Sequence, residues 1–231
     1  MDFKVVEIFD SIEGEGKRAG ALASFVRLAG CNLRCSYCDT TYSFGDEYSV
    51  MSIDDILARL NERRLYNVTL TGGEPLLAPG VEVLVNRLIS DGFEVNIETN
   101  GSVDISPVLS CFKDLNMCDM RRLFFTMDYK LPSSGVNHAM FADNFSRLSE
   151  WDVIKFVVGG HDDIRCMIKF LEDLKDNFGG AIVPQVYIGA VHRGYELQDL
   201  VEVMLNTPIL KDARLQLQFH KIIWDAEERG V

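Results

Sequence analysis

Three cysteines fall within eight residues, Cys31, Cys35 and Cys38, in the order Cys-x3-Cys-x2-Cys. Three thiolates on one short loop can ligate three irons of a cubane cluster, whose full complement is four. The fourth iron then takes a ligand from outside the protein, and an open iron is a place for chemistry rather than plain electron storage. A structural zinc site is the competing reading, but zinc takes four closed ligands, commonly from two Cys-x2-Cys knuckles. The next cysteines, Cys111 and Cys118, stand seven apart and 73 residues downstream, and no histidine follows at ligand spacing. Together with Cys166 they read as small core hydrophobes.

Such a loop must be carried by regular elements. Apolar β-branched and aromatic runs begin near Ala23, Asn67, Glu94, Leu123, Asp152 and Ala181, and from Asn67 the starts lie 27, 29, 29 and 29 residues apart. That interval is one strand plus one crossover helix. Helical periodicity lies between several of them: Ser52 to Arg63, with Ser52 and Asp55 as a capping box, Val81 to Ile89, and Asp162 to Phe178. The pattern predicts one α/β domain over residues 1–231, with about six mostly parallel strands and crossover helices. Six strands leave a partial barrel or an open wound sheet. The crossover at Asp104 to Leu115 carries only a short helical signal.

The cysteine loop follows the Ala23 strand, and Gly72-Gly73-Glu74-Pro75 follows the Asn67 strand. In parallel β/α folds that end carries the active site. Two glycines let backbone approach a ligand closely, and the carbonyls and Glu74 can accept from an ammonium. Arg27 lies mid-strand between Val26 and Leu28, a costly place for a charge unless it is paired. Its guanidinium matches a ligand carboxylate bidentately, or forms an internal ion pair with Glu13 or Glu15.

The 231 residues carry 23 basic against 35 acidic side chains, a net charge of −12. That balance disfavours nucleic acid and anionic membrane surfaces as partners. No apolar stretch reaches the roughly 18 residues of a membrane span, and the N-terminus has no signal-like apolar region. A cytoplasmic enzyme is the expectation.

The cysteine loop and Gly72-Gly73-Glu74-Pro75 together resemble the radical S-adenosylmethionine enzymes. Ser11-Ile12-Glu13-Gly14-Glu15-Gly16, the Phe25–Thr40 block, Glu98-Thr99-Asn100-Gly101, Pro132-Ser133-Ser134-Gly135 and Gln218-Phe219-His220-Lys221 narrow the resemblance to the 7-carboxy-7-deazaguanine synthases. The resemblance implies a 4Fe–4S cluster on Cys31, Cys35 and Cys38, whose unique iron is chelated by S-adenosylmethionine. It implies a deoxyadenosyl radical that converts 6-carboxy-5,6,7,8-tetrahydropterin to 7-carboxy-7-deazaguanine with loss of ammonia, for queuosine and related deazapurines. It implies that S-adenosylmethionine is regenerated and that the radical chemistry is the cofactor's, so no side chain is assigned as catalytic. A partial (β6/α3) barrel, a homodimer, Mg²⁺, and an external electron donor such as flavodoxin or ferredoxin are further implications.

Residue by residue, the resemblance gives the Gly72-Gly73-Glu74 loop to the methionine amino group. It gives Thr40 to Mg²⁺, which keeps several waters and needs few protein oxygens; an ST-turn is the alternative for Thr40. Glu98, Asn100 and Ser133 are placed at the ribose and carboxylate of S-adenosylmethionine, and Tyr37 near the adenine. Glu13, Glu15, Arg27, His220 and the terminal carboxylate of Val231 are placed at the pterin. Asn100-Gly101 is also an ordinary turn, Asp128-Tyr129-Lys130 can be a surface ion group, and His138, His161 and His192 read as surface or packing residues. Phe219, Ile222, Ile223 and Trp224 are expected to dock the tail, which otherwise ends in solvent. A glycyl-radical activating enzyme shares the cysteine spacing but leaves the Glu-Gly-Glu-Gly loop and the C-terminal block unexplained. A non-enzymatic iron–sulfur or zinc module has no use for Gly72-Gly73-Glu74-Pro75.

Overall fold

The computed structural model describes residues 1–112, 122–177, 179–192, 194–225 and 228–231. Cys118 and Phe178 lie outside the described residues. Among the described residues, nine strands form one sheet in the order β3-β1-β2-β4-β5-β6-β7-β8-β9. β2 (Leu22–Leu28), β4 (Asn67–Gly72), β5 (Glu94–Thr99), β6 (Leu123–Asp128), β7 (Val153–Val158) and β8 (Gln185–Ala190) run parallel and are the six expected strands. The last begins four residues later than expected, after Pro184, which has no N–H for the ladder. This is the wall of a partial barrel. β9 (Arg214–Leu215) extends it, while β1 (Asp2–Ile12) and β3 (Ser49–Ser52) add an antiparallel edge that the sequence did not announce.

Period-two alternation gives the wall two faces. Val26, Leu28, Val68, Leu70, Val95, Ile97, Phe125, Met127, Ile154 and Phe156 point to the helices and form one core. The residues between them, Arg27, Thr71, Glu98, Thr126, Asp128 and Lys155, point inward to a cleft. Helices α1 (Ile53–Arg63), α2 (Val81–Ser90), α3 (Ser106–Ser110), α4 (Ala142–Ser146), α5 (His161–Asn177) and α6 (Leu197–Asn206) connect the strands. The α1 start is the expected box: the Ser52 hydroxyl accepts from the Asp55 amide, and Asp55 accepts from the Ser52 amide. Ile56, Leu57 and Leu60 bury the opposite face of that helix. In the thin crossover the described residues form α3, five residues long, and the end of the expected span, 113–115, lies outside the described residues. A one-residue irregularity between Val5 and Glu7 brings Glu7 opposite Arg27 across β1 and β2. Among the described residues, no helix is long and apolar enough to cross a membrane.

Cys111 is exposed rather than in the core, because it follows α3 at the surface; Cys166 packs partly against the core.

Candidate active site

The C-terminal strand ends open onto a cleft of about 650 Å³. Cys31, Cys35 and Cys38 form part of its wall, each half-buried. Burial pushes the Cys35 and Cys38 thiols up; metal binding would take those protons. The loop is braced from two sides. Ser36 donates through its amide to Ser134 O at 3.0 Å and through its hydroxyl to Ser133 O at 2.6 Å. From β4, the Glu74 amide donates to Gly30 O at 2.8 Å and the Gly73 amide to Leu28 O at 3.3 Å.

The two glycines are required by that second brace. A Cβ on Gly72 would lie 2.3 Å from Leu28 O, and one on Gly73 would lie 2.3 Å from Gly30 O and 2.6 Å from Cys31 Cβ. Their close approach is therefore to the cysteine loop itself. Glu74 is buried beneath the cleft, where its carboxylate accepts from the Asn100 amide at 2.7 Å, the Leu76 amide at 3.0 Å and the Thr99 hydroxyl. Burial pushes its carboxyl up to about 7. Gly72 and Gly73 line the cleft, and the Glu74 carboxylate ties β4 to β5.

Thr40, Tyr37, Glu98, Asn100, Glu15, Arg27 and His220 all reach the cleft. Glu98 accepts from Thr71 Oγ1 at 2.9 Å. Burial raises its carboxyl to about 7, with Lys155 pulling the other way. Asn100 donates to Asn32 Oδ1 at 3.1 Å and stands against Cys31 Sγ. Burial also pushes Tyr37 up to about 12 and His220 down. Arg27 is paired with neither Glu13 nor Glu15; its Nε donates to Glu7 Oε1 at 2.6 Å, beside the Tyr42 hydroxyl on the same oxygen at 2.9 Å.

Two expected residues stand elsewhere. Glu13 is 1% exposed, in the floor, bonded to Arg18 Nη2 at 2.6 Å and to the Thr69 hydroxyl. The Ser133 hydroxyl turns to the buried Asp163 carboxylate, which also accepts from the Gly159 amide. Ser133 thus meets the cysteine loop through its carbonyl alone.

Three inward side chains escaped the sequence reading. Lys155 donates to Glu15 Oε2 at 2.6 Å and faces Asp128 Oδ1 at 3.4 Å, and Lys130 reaches Asp128 Oδ2 at 2.7 Å. This row is 11–16% exposed and lines the cleft, so Asp128-Tyr129-Lys130 is no surface ion group. Burial alone would lower Lys130 and Lys155, but the carboxylates, Asp128 foremost, outweigh it and raise both. Lys155 interrupts the apolar run Val-Ile-Lys-Phe-Val-Val, the same signal that singled out Arg27.

The tail lies along the cleft. Phe219 N donates to Gly14 O at 3.2 Å, and Lys221 Nζ reaches Asp39 Oδ2 at 2.7 Å. Burial would raise Asp39, yet the Lys221 ammonium outweighs it and holds the carboxyl at about 2. The other Asp39 oxygen accepts from Thr40 Oγ1 at 3.0 Å. Arg229 stacks on Tyr42 at 4.1 Å, and Gly230 lines the cleft. Of the four residues expected to dock the tail, Phe219 and Trp224 are half-buried while Ile222 and Ile223 are exposed, so the aliphatic pair takes no part.

Residues 26–127 match the model of the Radical SAM superfamily. The 7-carboxy-7-deazaguanine synthase of Clostridium acetobutylicum is 42% identical over 234 residues, covering all of both chains. That of Koribacter versatilis is 32% identical and covers 99% of this chain and all of the relative. The crystal structure of QueE from Escherichia coli has a TM-score of 0.71 at 23% identity, covering 93% of each chain, a likeness of fold.

Proposed function

The chain belongs to the 7-carboxy-7-deazaguanine synthase family of radical S-adenosylmethionine enzymes, and from that premise we propose that its cleft converts 6-carboxy-5,6,7,8-tetrahydropterin to 7-carboxy-7-deazaguanine in the queuosine pathway. One observation carries the reading: three half-buried thiols share a single cleft with the Arg27 guanidinium and the Glu15–Lys155–Asp128–Lys130 row. The donor set fits the cluster, since three thiols leave one iron of a cubane open. When bound, the reduced cluster and S-adenosylmethionine supply the radical that starts the ring contraction.

The chain's own residues then position and balance charge. Cys31, Cys35 and Cys38 hold the cluster, with the Gly72 and Gly73 backbone beside them for the methionine amino group. Glu98 and Asn100 serve the ribose and carboxylate of S-adenosylmethionine, and Tyr37 flanks the adenine. Arg27 keeps its terminal nitrogens for the substrate carboxylate while Glu7 fixes Nε. Glu15, held by Lys155, accepts from the pterin N–H edge, and His220 and the Val231 carboxylate close over it. Thr40 presents a hydroxyl to Mg²⁺, its proton given to Asp39. A homodimer in the cytoplasm, reduced by a flavodoxin or ferredoxin, completes the proposal.

The test is anaerobic reconstitution followed by mixing with the carboxytetrahydropterin. Turnover should yield 7-carboxy-7-deazaguanine, and substrate deuterated at C6 should leave deuterium in recovered S-adenosylmethionine. Stoichiometric deoxyadenosine per product would contradict the regenerating cycle, and absence of product would remove the substrate assignment.

A further inference from the structure

The Glu13–Arg18 segment lies inside the barrel wall, reaching from the first residues of β4 and β5 to the middle of β7. At the lower end, Arg18 Nη1 donates to Asn67 Oδ1 at 3.1 Å and Glu94 O at 3.3 Å, at the first residues of β4 and β5. Its Nη2 donates to Glu13 Oε1 at 2.6 Å, Thr69 Oγ1 at 3.2 Å and Val68 O at 3.3 Å. The guanidinium also lies 4.9 Å from the Phe124 ring and is 11% exposed. At the upper end, Glu15 meets Lys155 and the Gly14 carbonyl receives the Phe219 amide. Between them, the Gly16 amide donates to Gln216 Oε1 at 2.7 Å. One residue, Gly14, separates the carboxylate that Arg18 grips from the one that faces the cleft.

We infer that Arg18 is a positioning residue for the pterin: anchored on the lower strand ends, it sets the height of the loop, and so the place of Glu15 and of the tail backbone at Gly14. The inference rests on the proposed pterin role of Glu15 and on no contact of Arg18 with substrate. A guanidinium fork suits this task, because its two terminal nitrogens reach β4, β5 and the Glu13 loop together, while Nε is buried without a partner.

Arg18→Met leaves the Glu13 carboxylate buried and unpaired, which costs stability on its own. Glu13→Gln with Arg18→Met removes both charges and is the discriminating variant. In each, the KM for the carboxytetrahydropterin should rise about tenfold, the lower end of what misplacing a charged contact costs, with kcat and cluster content near wild type. The double variant should recover melting temperature without recovering KM. Hydrogen exchange at the Gly16 amide, read without substrate, should speed up about tenfold in both variants as the anchor goes. A wild-type KM in either variant, KM recovering together with melting temperature, or unchanged Gly16 exchange would each overturn the inference. Failure of the wild-type enzyme to turn over the pterin would instead strike the substrate assignment, and the exchange measurement would still decide whether Arg18 sets the loop.

Discussion

Gly73→Ala should disable the cluster site without touching a thiol. The added Cβ would sit 2.3 Å from Gly30 O and 2.6 Å from Cys31 Cβ. Carbon–oxygen contacts close to about 3.3 Å at best, so the β4 loop and the cysteine loop must part by about 1 Å. Neither neighbour is the free end of a flexible side chain. The bond from the Glu74 amide to Gly30 O, now 2.8 Å, is stretched in the same movement. Overpacking of this kind costs about 1–3 kcal/mol, which in a chain of this size lowers the melting temperature by roughly 2–12 °C. Gly45→Ala is the control, since a Cβ there meets only Tyr42 O at 3.7 Å. The assay is iron and acid-labile sulfide after anaerobic reconstitution, with electron paramagnetic resonance of the reduced protein. We expect Gly73→Ala to hold a small fraction of the wild-type iron and Gly45→Ala to hold all of it. Full iron, an unchanged spectrum and wild-type cleavage of S-adenosylmethionine in Gly73→Ala would refute the argument that the glycine serves the loop.

Cys35→Ala should lose the cluster outright; normal iron content in that variant would show a fourth protein ligand. A C-terminal tag, which moves the Val231 carboxylate away, should raise the KM for the pterin roughly ten- to a hundredfold, the worth of one charge-assisted hydrogen bond. An identical KM with and without the tag would release Val231 from the site. Glu74 gives a pH signature in stability. Its carboxyl is raised from 4.5 to about 7, so the stability it contributes is complete below pH 4.5 and is lost as pH climbs through 7. The slope is at most about 1.4 kcal/mol per pH unit. Melting curves of wild type against Glu74→Gln should therefore converge or cross between pH 4.5 and about 7, and a constant gap would show that Glu74 does not titrate there.

The sequence displayed the strands that are buried on their helix-facing side, because each carries its own apolar run at crossover spacing. It hid β3, the edge strand, and β1, which β3 covers only over Asp2–Val5. Past Val5, β1 is only half-covered down to Asp10, and half of β3 is exposed. Within the site, the cysteine loop was legible from local spacing alone. Asn96, Glu98, Thr126 and Asp128 are the polar half of an alternating text and Lys155 interrupts an apolar run, a signal that local motifs do not turn into a role. The fates of Glu13 and Ser133 were not legible: besides its near neighbour Arg18, Glu13 is held by Thr69, 56 residues on, and Ser133 turns to Asp163, 30 residues on. The same distance explains why Arg27 is held by Glu7, twenty residues before it and across a strand pair whose register no local motif encodes.

The two-faced wall also bears on how such a chain can diverge. Neighbours such as Ile97 and Glu98, or Ile154 and Lys155, answer to different demands although they are adjacent in the text. One is fixed by the helices packed behind it, the other by the molecule bound in front. A lineage can therefore rewrite the inward letters, and with them the ligand, while the outward letters keep the fold stable. Substitutions that alter what the cleft accepts need not first find a compensating change in the core, and drift in the core leaves the chemistry intact.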